Sequence, residues 1–160
     1  MMMQVEDLKI KLATPDDAEI KMLSEQSNDL VNMSETRLYP TNTPTEMVFR
    51  IEHQDELIGE IRFSRMRWYN RKSELSILIK KEHQNKGYGT KALNAAMHYA
   101  FDKMNLHRLE AEVYDFNEAS IKLVEKLGFK KEGVLREAKY LEGKYYDIIR
   151  YGILKNEFEK

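Results

Sequence analysis

The stretch Gln84-Asn85-Lys86-Gly87-Tyr88-Gly89-Thr90, QNKGYGT, stands between the apolar run Leu75 to Ile79 and a segment whose apolar residues recur at helical spacing. Two glycines at a strand-to-helix junction let a ligand approach the backbone, and the helix behind them offers free N–H groups and the positive end of its dipole. That suits the two negative charges of a pyrophosphate. A P-loop would need Gly-x-x-x-x-Gly-Lys followed by Ser or Thr, which is absent. A dinucleotide fingerprint is harder to dismiss, because Gly87, Gly89 and Ala92 fit it and Glu110 lies about 20 residues further on. Position opposes it: the polar residues KKEHQNK separate Ile79 from Gly87, whereas in that motif the glycines follow the strand at once. Glu110 also sits inside an alternating strand and not at its end. A pyrophosphate on a larger cofactor and a plain tight turn are what remain.

Outward from this loop the pattern is legible in both directions. Downstream, Ala92, Leu93, Ala96, Met97, Ala100 and Phe101 predict an amphipathic helix to Asn105, and His107 to Tyr114 alternates with Leu109, Ala111 and Val113 on one face. Asn117 caps a further helix with Ile121, Val124 and Leu127 inward, closed by Gly128-Phe129. A hairpin follows, GVLREAKYL and KYYDIIRYGIL around Glu142-Gly143. Upstream, SELSILI is preceded by two strands, EMVFRIEH and ELIGEIRFSR, joined at Gln54-Asp55, and by a first strand, Leu8 to Ala13. Thr14 as N-cap, Pro15 at the first helical position and Asp16-Asp17 predict a helix carrying Ala18, Met22 and Leu23 inward. Ser24 to Thr45 reads as a short second helix and a loop. The expected fold is a single α/β (mixed α+β) domain over residues 1–160, with a central mixed, mostly antiparallel sheet of about seven strands and helices on both faces.

Composition narrows the function. With 42% hydrophobic and 33% charged residues and a net charge of -1, the chain has no global basic field of the kind that implies nucleic-acid binding. Absence of cysteine excludes disulfides and thiolate metal sites, no metal site is expected, and a reducing cytoplasm is the natural compartment. No apolar run approaches a membrane span. The segment RFSRMRWYNRK, Arg62 to Lys72, gathers basic residues around Trp68 and Tyr69. An ordinary solvated hairpin is the expectation there, ahead of a nucleic-acid surface.

Two motifs together resemble the GCN5-related N-acetyltransferases. The signature Gln/Arg-x-x-Gly-x-Gly/Ala is similar to Gln84-Asn85-Lys86-Gly87-Tyr88-Gly89, and the later Asn-x-x-Ala/Ser and Glu-Lys-x-Gly-Phe elements resemble Asn117 to Ser120 and Glu125 to Phe129. Asn70-Arg71 before Ser73-Glu74-Leu75, with Gly143 to Asp147, look most like the branch of ribosomal-protein N-terminal and spermidine acetyltransferases. The resemblance implies acetyl-coenzyme A (acetyl-CoA) as co-substrate and a splay between the fourth and fifth strands. It places the pantetheine arm along Ile77, Leu78 and Ile79, the pyrophosphate on Gln84, Asn85, Lys86, Gly87, Tyr88, Gly89 and Thr90, and a pantetheine amide on Asn117, which also reads as a plain N-cap. The implied acceptor is a primary amine: a protein N-terminus such as a ribosomal protein's, a polyamine or another small amine. A homodimer is compatible with it.

An amine with a pKa near 10 is protonated at neutral pH and needs a base before it attacks. Glu74 matches the family's position for that base. Its bland counterpart is a solvated charge at a strand end, and His83 and His107 are weaker candidates. Many relatives return a proton to the departing thiolate from a tyrosine seven residues after the asparagine, where this chain has Val124. Ser120 is the nearest replacement; Tyr140, Tyr145, Tyr146 and water are others. The missing tyrosine keeps a non-catalytic acetyl-CoA sensor, or a ribosome- or RNA-associated module, as the alternative.

Overall fold

The computed structural model describes residues 2–26, 44–68 and 70–158. Of the expected short helix and loop from Ser24 to Thr45, residues 27–43 lie outside the described residues and Ser24 to Gln26 continue the first helix; Tyr69 of the basic segment also lies outside them. Among the described residues eight strands form one sheet: β1 (Met2–Val5), β2 (Leu8–Leu12), β3 (Met47–His53), β4 (Glu56–Arg67), β5 (Lys72–Ile79), β6 (Arg108–Tyr114), β7 (Lys130–Leu141) and β8 (Lys144–Leu154). Among the described residues four α-helices accompany them: α1 (Ala18–Gln26), α2 (Tyr88–Asp102), α3 (Glu118–Lys126) and the single turn α4 (Lys155–Phe158). The strand order is β1-β2-β3-β4-β5-β6-β8-β7, and β5–β6 is the one parallel pair.

The sheet has one strand more than expected, because β1 pairs with β2 through a turn at Glu6. Met2 and Met3 are both apolar, so no alternation marks that strand, although Met3 is buried opposite Ile10 and Met2 is exposed. Both expected hairpin turns are present with left-handed backbone, at Gln54-Asp55 (φ 52° and 65°) and Glu142-Gly143 (φ 49° and 82°), the geometry that matches strand twist.

α2 buries the six residues its spacing selected, Ala92, Leu93, Ala96, Met97, Ala100 and Phe101. They meet Phe49, Ile51, Ile61, Phe63, Leu75 and Leu109 from one face of the sheet, and α3 adds Val124 to the same core. At the end of α3, Gly128 (φ 95°) and buried Phe129 donate their N–H groups back to Glu125 and Val124, so the predicted glycine stop is formed. α1 packs on the opposite face, where Ile20 and Leu23 join Leu57, Val48 and Leu78.

The start of α1 differs from expectation. Thr14 opens a turn that closes on Asp17, and Asp17 is the cap, its Oδ1 accepting from the Ile20 N–H at 3.1 Å while Oδ2 takes Arg50 at 2.7 Å. Asp17 prevails because it meets a cation on β3 as well as the helix end. The register moves with it: Ile20 and Leu23 face inward, and Ala18 and Met22 (58% exposed) face solvent.

Candidate active site

Parallel pairing between β5 and β6 lasts three residues, Lys72, Ser73 and Glu74 against Arg108, Leu109 and Glu110. β5 then continues to Ile79 on its antiparallel partner β4 alone, while β6 continues to Tyr114 on β8 alone. The two strands part after Glu74, so backbone groups of β5 from Leu75 to Ile79 that face β6 have no strand to pair with. An open strand edge of this kind takes an extended ligand as an added strand.

The glycine loop lies just beyond the open end. Gln84 is tied back to β5 by its side-chain amide, which donates to the Ile79 carbonyl at 2.9 Å. Asn85 (φ 62°) and Gly87 (φ 82°) turn the chain into α2, and no side chain caps that helix. Its first N–H groups, at Tyr88, Gly89 and Thr90, therefore remain for a ligand. Open space lies where a Cβ on Gly87 would point, and a Cβ on Gly89 would sit 3.9 Å from Ile77 Cδ1 and from Leu123 Cδ2. Gly89 thus joins the floor of the gap, between β5 and α3. Lys86 is exposed in the same loop. Tyr88 is turned away toward β3, its hydroxyl 3.5 Å from the Nε2 of His53, which also pairs with Asp7.

Asn117 caps α3, accepting from the Ser120 N–H at 3.1 Å through Oδ1. Its amide N–H groups are left for another acceptor. Ser120 is half-buried three residues before Leu123, hence on the helix face that meets Ile77 and Gly89. Val124, in the place of the family tyrosine, is buried in the core.

Glu74 is no solvated strand-end charge. It stands at the apex where β5 and β6 part, on the face of the sheet opposite α2 and α3, with its side chain 16% exposed. Arg65 Nη1 lies 3.2 Å from its Oε1 and Arg150 Nη2 3.9 Å. Burial pushes the Glu74 carboxyl above its ordinary value; Arg65 opposes this, Glu112 adds to it, and smaller effects of Arg150 and Glu110 follow with opposite signs. A cavity of about 190 Å³ opens here, lined by Arg65, Arg67, Lys72, Glu74, Glu110 and Arg150 among others. Glu110 is shared by Lys72 at 2.9 Å, Arg150 at 3.0 Å and Arg108 at 3.2 Å; against the effect of burial, Lys72 and then Arg108 hold its carboxyl below the usual range.

The basic segment is corrected in the same place. Arg62 and Arg65 turn inward, with side chains 15% and 22% exposed, and Arg65 reaches Glu74. For Arg65 the cause is a bulge: pairing of β4 with β5 shifts between Ser64 and Arg67, with Arg65 at φ 47°, and the buried Ser73 hydroxyl donates to the Ser64 carbonyl at 2.9 Å. Trp68 donates to the Pro44 carbonyl at 2.8 Å. The sequence offers no catalytic reading for Arg150, and for Glu110 only that of a ribose ligand. The available signal was the run of charges at alternate positions, Arg108, Glu110 and Glu112, in a strand whose other face is core.

Glu74 and Ser120 are not in contact. The first is at the closed end of the splay and the second follows its open end, beyond Tyr114 by one short turn, and the two lie toward opposite faces of the sheet. His83 ends the 3-10 turn after β5, and the backbone of His107 bridges Arg71 and Lys155. No group of side chains able to hold a metal ion occurs among the described residues, and no helix there is long and apolar enough to cross a membrane.

Comparison with known proteins gives one consistent result. The family described as "Acetyltransferase (GNAT) domain" matches residues 3–149. A spermidine N(1)-acetyltransferase of Vibrio cholerae is 34% identical over 105 residues, 66% of this chain and 61% of that protein. A putative ribosomal N-acetyltransferase of Bacillus subtilis, YdaF, is 34% identical over 107 residues, 67% of this chain and 58% of that one. The matched stretch thus spans about three fifths of the length of these curated relatives. The solved dodecameric spermidine N-acetyltransferase of Vibrio cholerae superposes with a TM-score of 0.82 at 27% identity, covering 95% of this chain and 96% of that one.

Proposed function

The chain belongs to the GNAT acetyltransferase family, and on that premise we propose that it moves the acetyl group of acetyl-CoA to a primary amine by direct attack in a ternary complex. The observation that carries the reading is the parting of β5 and β6 after Glu74 above the uncapped start of α2. In this reading the pyrophosphate is held by Gln84 to Thr90 and the pantetheine arm lies along Ile77, Leu78 and Ile79, with the Asn117 amide as a further donor. An N–H on the free edge of β5 stabilises the oxygen of the thioester as charge develops on it.

The two sides of the sheet divide the proton work. Glu74 takes the proton of the acceptor ammonium from the α1 face, and its raised pKa makes it a better proton acceptor than an ordinary carboxylate. Ser120 is on the helix that floors the gap from the other face, where the thiolate leaves. A thiol with a pKa near 8.5 also exchanges protons readily with water, so the absence of a tyrosine at Val124 does not remove the activity.

Calorimetry with acetyl-CoA and NAD, followed by release of free thiol from acetyl-CoA in the presence of amines, tests the proposal. Binding of acetyl-CoA, weak or no binding of NAD and amine-dependent thiol release are expected. Gly89→Asp should weaken acetyl-CoA binding at least tenfold, while the acid in the first turn of α2 favours the helix itself. Tighter binding of NAD would restore the dinucleotide reading; binding of acetyl-CoA without transfer to any amine would favour a sensor.

A further inference from the structure

Resting on the reading of this site as an acetyltransferase, we propose that its acceptor is an amine with an aromatic or large apolar group about 13 Å from the nitrogen, and that Tyr114, Phe116, Leu135 and Tyr146 form the strip that receives this group. Place in the sheet is the first observation. Glu74 stands opposite Glu110 in the register of β5 and β6, and Glu110, Glu112 and Tyr114 follow one another on the same face of β6, away from the core residues Leu109, Ala111 and Val113. Four residues of strand carry that face about 13 Å from Glu110 to Tyr114. Tyr114 is paired with Ile148 on β8, and Ile148 with Leu135 on β7, so a row of apolar side chains crosses three strands on the Glu74 face.

The make-up of the strip is the second observation. Tyr114 and Phe116 stack with ring centroids 5.5 Å apart, and Tyr146 meets Phe116 edge to face at 4.7 Å. The rings hold one another in place, yet Phe116 is 43% exposed and Leu135 38%, beside a buried Ile148. Between Glu74 and this strip, Glu112 and Arg150 pair at 3.3 Å. An acceptor laid along β6 therefore passes an ion pair that meets polar groups and ends on rings that bury apolar area.

Charge opposes a second ammonium on the strip. Lys139 Nζ lies 4.9 Å from the centroid of the Tyr114 ring, and none of Glu112, Asp115 and Asp147 is within ion-pair distance of it among the described residues. Glu112 is held by Arg150, and Asp147 accepts from the Glu137 N–H at 2.8 Å. The ring that would receive a ligand cation already carries one. A polyamine extended from Glu74 would bring its distal ammonium toward Lys139, whereas an aryl or alkyl group meets Phe116, Tyr146 and the methylenes of the lysine. The acceptor thereby differs from the spermidine in the names of the Vibrio cholerae acetyltransferases. Two sources supply such a group: a peptide N-terminus with a large apolar side chain about four residues along the chain, or a free amine with a long apolar tail. In both the bond changes are those of the transfer: the amine gives its proton to Glu74, its nitrogen joins the acetyl carbon, and the carbon–sulfur bond breaks to leave the CoA thiolate.

Matched acceptors test the inference. One arm sets decylamine, below its micelle-forming concentration, against propylamine, the α,ω-diamine of equal length and spermidine; the other sets pentapeptide amides with phenylalanine at the fourth and fifth positions against the same peptide with glycine there. Thiol release gives kcat and KM, and calorimetric titration into the complex of protein and CoA gives affinity independently of turnover. The apolar member should be at least tenfold better in kcat/KM, chiefly through KM, and the arm that shows this names the source. Phe116→Ala should erase the preference, with KM for acetyl-CoA and turnover of propylamine unchanged. Leu135→Ser should narrow it, which keeps the test intact if the first variant folds poorly, and Lys139→Gln should bring the diamine closer to decylamine. No preference in either arm, or spermidine or the diamine as the best acceptor of all, overturns the inference and leaves acetyl transfer standing. So does a Phe116→Ala protein whose sedimentation changes while its acceptor preference does not, because the strip then belongs to an interface between copies. Failure to bind acetyl-CoA overturns both.

Discussion

A single carboxylate at the apex of the splay sets the expected pH behaviour. Glu74 can take a proton only when ionised, and burial has raised its pKa above the ordinary 4.5, so turnover should fall on the acid side at a pH above that value. Glu74→Gln should lower turnover by roughly 10² to 10⁴ near neutral pH and remove that acid limb, with acetyl-CoA affinity retained. The deficit should shrink at high pH, where more of the amine is already neutral. A pH–rate profile of the variant that keeps the parental limb would assign the limb to another group. At Ser120 the expectation is smaller. Ser120→Ala should leave coenzyme affinity unchanged, since Asn117 accepts from the backbone N–H and not from the hydroxyl, and should lower turnover only if the hydroxyl serves the leaving thiolate. Parental turnover in single-turnover assays of this variant would leave protonation to solvent or to a hairpin tyrosine.

Among the elements, β5 has the most demanding position, because it must be straight on the β4 side and open on the β6 side. Gly59 on β4, paired with Ile79, is what allows the close approach at its end. A Cβ there would drive into the Leu78 carbonyl oxygen and reach 2.9 Å from Ile79 Cδ1. Gly59→Ala should therefore cost about 1–3 kcal/mol and displace the edge on which the pantetheine arm is proposed to lie. Urea denaturation reads the first effect and calorimetry with acetyl-CoA the second; an unchanged midpoint would mean that the strands separate freely. The same strand pair explains the basic segment. A bulge between Ser64 and Arg67 redirects Arg65 from the edge of a hairpin to the interior, where its partner Glu74 stands on the neighbouring strand.

For the molecule as a whole, the α1 face of the sheet carries an ionic layer whose partners come from distant segments. Arg50 joins Asp17 at 2.7 Å, Glu52 at 3.0 Å and Glu19 at 3.1 Å. Asp17 is held below its ordinary value by the Ile20 N–H and by Arg50 despite burial, and Glu52 chiefly by Lys11 and then Arg50. Lowered carboxyls contribute stability that is present above their unfolded pKa and is lost as the pH falls through the folded value. Urea midpoints should thus decline below about pH 4, near the ordinary carboxylate values. Arg50→Met should lower stability at neutral pH by about 1–3 kcal/mol, less than for a deeply buried charge because solvent still reaches the cluster, and should flatten that decline. A variant whose midpoint falls with pH as steeply as the parent's would place the acid sensitivity elsewhere. Glu74 has the opposite sign: its raised pKa favours the folded state at low pH and costs stability as the pH rises through it.

Local periodicity determined most of the architecture. The buried face of α2, the inward residues of β6, the cap at Asn117, the glycine stop at Gly128 and both hairpin turns follow from contacts within a few residues, which the order of side chains encodes directly. The glycine loop was legible for the same reason, since free N–H groups at a helix start are a local property. Tertiary structure alone decided where α1 begins, because Asp17 rather than Thr14 finds Arg50, and at which residue β5 and β6 part, because their pairing ends at Glu74. It also gathered Arg65, Lys72, Glu74, Glu110 and Arg150 around one cavity. These residues come from three strands and a bulge, and ion pairing between them depends on strand register, a long-range quantity that no local spacing specifies.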